Sequence, residues 1–221
     1  MQRRPVQLVL RTPTWGGRRT GAGRKPSPGR RRVPHQSRPM HRASHPAHVT
    51  LRAFGDLSSL RGARVFPATR NAIAKASCRG FRVLHFTVQC DHVHLLVEAD
   101  SRPQLIRGLQ GLAIRLAKAI NRGLGRTGRV WGDRYHVRAL RTPREVRNAL
   151  AYVFHNWKKH LANVAGLDPC SSAFWFEGWK RPLRPVTVRS PVVAARTWLA
   201  AVGWRRWGLI GFDERPAKPK R

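Results

Sequence analysis

Acidic residues are scarce: 10 Asp and Glu stand against 44 Lys and Arg in 221 residues, a formal charge of +34. A fold with that imbalance repels itself unless polyanions surround it, so charge favours nucleic acid as the partner, with anionic membrane as the rival. Apolar runs of about 18 residues and a signal peptide are also missing. Their lack argues against a membrane partner and for a soluble, cytoplasmic, nucleoid-associated protein. Cysteine is as thin: Cys78, Cys90 and Cys170 are odd in number and show no CxxC spacing, which argues against a disulfide scaffold or a four-cysteine zinc site. Hydrophobic residues, at 41%, are few enough that part of the chain is expected to lie outside the core.

What is present divides the chain into 1–46, 47–163 and 164–221. The first part is rich in Arg, Gly and Pro and is expected to stay a flexible arm. Its Arg18, Arg19, Arg24 and Lys25 suit phosphate contacts, in a minor groove or as a solvated tail. The middle part alternates or repeats as folded segments do. Residues 48–52 read as a strand and 68–77 as a helix after Pro67. Residues 81–88 and 93–99 read as a hairpin. A helix opens at Ser101 and carries Leu105, Leu109, Leu112, Leu116 and Ile120 on one stripe until Gly123 and Gly125. Residues 134–140 read as a strand with Arg134, His136 and Arg138 on one face. Thr142, Pro143 and Glu145 then start a helix running to about Leu161. The order implies an α+β fold: an antiparallel sheet with helices on one face. The last part is basic and carries five tryptophans, either packing anchors or platforms for unpaired bases, with a short helix expected within 191–202.

His92 and His94 share one face of a strand, where two imidazoles can hold one divalent ion or can simply be packed strand residues. Tyr152 is one of only two tyrosines. It stands one helical turn before Asn156, away from the stripe Val146, Leu150, Val153, Trp157 and Leu161. A tyrosine off the packing face is available to react, or is an ordinary exposed side chain. Phenol, with a pKa of about 10, is a poor nucleophile until a cation polarises its target. Two imidazoles and one amide oxygen leave room for phosphate and water around Mg²⁺ or Mn²⁺.

Three motifs resemble those of the HUH tyrosine transposases that act on single-stranded DNA, in particular the REP-associated tyrosine transposases. They are Cys90-Asp91-His92-Val93-His94-Leu95-Leu96-Val97, Trp131-Gly132-Asp133-Arg134-Tyr135-His136 and Tyr152-Val153-Phe154-His155-Asn156. The resemblance covers about 47–163. It implies a ferredoxin-like fold, His92, His94 and Asn156 as ligands of Mg²⁺ or Mn²⁺, and Tyr152 as nucleophile. It also implies a 5′-phosphotyrosine intermediate and single-stranded or hairpin DNA as substrate. A homodimer, with Tyr152 serving a partner's histidines, stays open. Arg134, Arg138, Lys158 and Lys159 are candidate phosphate contacts. The chain departs from the family pattern at Cys90, Asp91 and the stretch after Asn156, where the helix is expected to continue.

Other readings weigh against this one. A domesticated binding protein would keep the fold without turnover. A zinc module would use Cys90, His92 and His94 and want a fourth ligand. A histidine-triad hydrolase would need a histidine where Leu96 stands. Tyr135, the other tyrosine, shares a face with Val137 and Ala139 and is expected in the core.

Overall fold

The computed structural model describes residues 40–55, 57–159, 166–184 and 186–214. Four strands, β1 (Ala47–Arg52), β2 (Phe81–Val88), β3 (His92–Ala99) and β4 (His136–Ala139), form one antiparallel sheet in the order β2-β3-β1-β4. Helix α1 (Phe66–Ala74) leads from β1 to β2, and α2 (Arg102–Leu124) from β3 to β4. That βαββαβ order with interleaved strands is the ferredoxin-like arrangement.

The hairpin and α2 lie where periodicity puts them. All five residues of the α2 stripe are buried, from Leu105 to Ile120. Ser101 caps the helix by accepting from Gln104 N, and Gly125 ends it in the left-handed region at φ 63°. The stripe packs on Val49, Leu51, Val93, Leu95 and Val97, which alternate onto one face of the sheet together with Ile73 of α1. Tyr135 and Val137 pack against the same cluster, as alternation predicts for Tyr135.

Helix α3 (Pro143–His155) does not join α1 and α2. It clusters with Leu84 and Leu96, which face the other way. The α+β class and the antiparallel sheet match the expectation; the placing of all helices on one face holds for the crossover helices alone. A crossover between strands of one sheet is right-handed, and this keeps α1 and α2 on one side. No strand of this sheet follows α3, so it is free to cover the remaining apolar residues. Its start is as expected: Thr142 Oγ1 accepts from Glu145 N, and Glu145 accepts from Arg141 N. Its end is not. The α-helix stops at His155 and tightens into a 3₁₀ turn over Asn156–Lys159.

Residues 166–214 pack on both this helix and the sheet. Cys170 O accepts from Val88 N, Ser172 N donates to Phe86 O and Val193 N donates to Val83 O, so the chain lies along the outer edge of β2. Trp179 and Trp204 are buried beside Val153 and Phe154. The helix expected in 191–202 is one turn, α4 (Trp198–Ala201).

Candidate functional site

Register sets what lies beneath α3. His94 is opposite Thr50, which is opposite His136; His48 is opposite Leu96 and Arg138; Arg52 is opposite His92. Alternation turns these side chains to the face that α3 covers.

Tyr152 reaches down onto them. Its ring centre is 5.0 Å from His94 and 5.5 Å from His48, both edge-on. The rings of His92 and His94 are 4.6 Å apart. Asn156, one turn after Tyr152 and 2% exposed, sets its amide 3.4 Å from His92 Nε2. The four residues singled out in the sequence thus meet within one chain, so no second copy is needed to bring a tyrosine to these histidines. The expectation that Tyr152 and Asn156 point off the packed face gives way to a different geometry. Helix α3 is enclosed on two sides, and its Tyr152–Asn156 side packs on the histidines while Val146, Leu150 and Val153 fill the core beside it.

Sequence reading missed His48. It packs beside both Tyr152 and His94, with Nε2 3.2 Å from His94 Nδ1; Thr50 Oγ1 is 3.0 Å from the same atom. The signal was present in the alternation of His48 and Thr50, but only the β1–β3 register shows which residues of β3 they meet. Burial, then His136 and Arg138, lowers His48 to about 4, so it is neutral at pH 7. Burial alone raises the Tyr152 phenol above its usual 10. A base near 4 facing an acid above 10 cannot by itself hold the phenolate at neutral pH.

The donor set suits a cation. His92 Nδ1 is 2.5 Å from Asp91 Oδ1, so its Nε2 is the lone-pair side, and that side faces Asn156. Asn156 presents its Nδ2 to that lone pair; with the amide turned so that Oδ1 faces the rings, two imidazoles and one amide oxygen would form a three-donor set with room for phosphate oxygen and water. Among the described residues no group of three or more His, Cys, Asp or Glu is placed to share an ion. Cys90, exposed in the turn, therefore does not complete a zinc site with His92 and His94.

The proposed phosphate contacts scatter. Arg138 is exposed and pairs with Glu145 at 2.9 Å. Arg134 is exposed beside the cleft between α2 and β4. Lys158 turns to the C-terminal segment, donating to Phe212 O. Arg18, Arg19, Arg24, Lys25 and the side chain of Lys159 lie outside the described residues. Among the tryptophans, Trp179 and Trp204 are packing anchors, whereas Trp198 and Trp207 are about half exposed under Arg206 and Arg144.

No family model matches the chain, and no curated protein sequence does. Among solved structures the fold is similar to that of a REP-associated tyrosine transposase bound to a REP hairpin. The TM-score is 0.51 at 18% identity, covering 64% of this chain and 83% of that one. At that identity the likeness is one of fold. Among the described residues no helix is long and apolar enough to cross a membrane.

Proposed function

We propose that this chain is a transposase-like endonuclease and strand transferase acting on single-stranded or hairpin DNA, with Tyr152 as its nucleophile. The observation that carries the reading is the packing of Tyr152 against His94 while Asn156 meets His92. These residues come from two stretches, strand β3 and the end of α3 with the turn that continues it, and converge on one face although 64 positions separate His92 from Asn156. The transposase likeness of the fold and the charge of +34 support the same partner.

In this reaction the Tyr152 oxygen attacks phosphorus and the DNA 3′ oxygen leaves. A 5′-phosphotyrosine bond forms, the phosphodiester bond breaks, and the phenolic proton is balanced by one taken up on the 3′-hydroxyl. Attack by that hydroxyl on the phosphotyrosine restores a DNA strand. A divalent cation, Mg²⁺ or Mn²⁺, held by His92, His94 and Asn156 would supply the positive charge that polarises the phosphodiester and favours the phenolate. The chain's own contribution is positional. Helix α3 holds the phenol over the imidazoles, the sheet fixes those rings, and partial burial limits competing water.

The test is covalent trapping. Labelled hairpin and unpaired DNA with Mn²⁺ should give an adduct that survives a denaturing gel, and Tyr152→Phe should abolish it without lowering stability by more than about 1 kcal/mol. An adduct in Tyr152→Phe overturns the nucleophile. Binding by wild type with no adduct on any hairpin favours a binding protein on the same fold.

A further inference from the structure

We propose that Asp91 is a positioning residue that fixes the ring of His92 with its Nε2 lone pair turned into the site; the proposal rests on the metal-dependent reading above. Asp91 stands in the tight turn between β2 and β3 and is held at three points. Its backbone oxygen accepts from Ala53 N at 2.8 Å. Oδ2 takes Arg52 Nη2 at 2.6 Å, and Oδ1 lies 2.5 Å from His92 Nδ1. Arg52 reaches Asp91 because β1 places it directly opposite His92.

The chemistry of the partners decides the proton. A carboxylate paired with a guanidinium only accepts, so the hydrogen lies on His92 Nδ1. A neutral imidazole with Nδ1–H has its lone pair on Nε2, the atom 3.4 Å from the Asn156 amide. A carboxylate behind a ligating imidazole also raises its basicity and fixes its plane. His94 is held by different partners: its Nδ1 meets Thr50 Oγ1 at 3.0 Å and His48 Nε2 at 3.2 Å, and a hydroxyl or a neutral imidazole can donate or accept. Enclosure matches this division of labour. The Arg52 and Asp91 side chains are 46% and 48% exposed, but His92 only 12%, so the restrained end of the chain of bonds is the ring.

Two measurements test this. In the metal-free protein, long-range proton–nitrogen NMR should show His92 as the Nδ1–H tautomer. Mn²⁺ alone, titrated and read by electron paramagnetic resonance, should bind wild type and be lost in His92→Ala. Asp91→Ala should bind about 10–100-fold more weakly. Asp91→Asn keeps the shape and an acceptor oxygen but not the charge, and is expected to fall between them. An Nε2–H tautomer in wild type, or Asp91→Asn binding Mn²⁺ as tightly as wild type, overturns the positioning role. If that happens while His92→Ala still loses the ion, the metal-dependent reading stands alone. If wild type takes up no Mn²⁺, both fall.

Discussion

His85 and His155 are enclosed among aromatic rings, His85 against Phe154 and Phe176 and His155 against Trp179. Burial lowers His85 to about 3, and burial followed by Lys158 lowers His155 to about 4, from an ordinary 6.5. The unfolded chain therefore takes up protons first as pH falls. Their contribution to stability is complete above 6.5 and is lost on acidification through the window down to 3–4, at about 1.4 kcal/mol per pH unit for each ring. Urea midpoints should drop between pH 7 and pH 5, and His155→Phe should flatten the drop; equal midpoints at both values would refute the assignment. Single residues also show what the sequence makes legible. The pairing of His92 with His94 and of Tyr152 with Asn156 is legible because strand and helix periodicity place each pair on one face. The place of His48 beside them is not, since it depends on a partner residue 46 positions away.

At the scale of elements, the hairpin, α2 and the start of α3 follow from local chemistry: a tight turn, an apolar stripe and a capping box. The side of the sheet that α3 takes does not. A stripe says which face of a helix is apolar, not which face of a sheet is still uncovered. The junction of α2 with β2 provides a sharper test of packing. A Cβ on Gly108 would lie 2.2 Å from the Phe81 ring, which is 1% exposed. Gly108→Ala gains about 1 kcal/mol of helix propensity, but overpacking costs about 1–3 kcal/mol. The net expectation is destabilisation by up to about 2 kcal/mol in urea. A more stable variant would show that α2 shifts freely on the sheet.

The molecule as a whole carries few acids, and two buried ones, Glu98 and Asp168, are used as ties. Glu98, 1% exposed, accepts from Arg82, Arg196 N and Thr197, and Asp168, fully buried, accepts from Arg61, Thr87 and Cys170 N. Both join residues 166–214 to the sheet. A chain ending at 165 would leave Glu98 and Asp168 contacts broken and the outer side of α3 bare. Circular dichroism of that truncation should show a lower, broader thermal transition than the full chain, and an unchanged midpoint would refute the tie. The excess of positive charge has a different signature. Affinity for single-stranded DNA should fall linearly with salt on logarithmic axes, by about 0.7 per phosphate neutralised. Fluorescence anisotropy that stays flat between low and high salt would remove charge as the driving term.

The clamp on α3 also has a direction in time. Arg147 bonds Gly208 O and Glu214, and Lys158 bonds Phe212 O, so the helix carrying Tyr152 is fastened by residues translated some sixty positions after it. Domains fold as units, and the ribosome delivers their N-terminal residues first. The residues of the sheet and its first two helices have all been synthesised while the fastening segment is still being made. Helix α3 therefore cannot gain these bonds until the residues up to Glu214 have been translated, so its fastening is expected only after the histidine-bearing strands have long been synthesised.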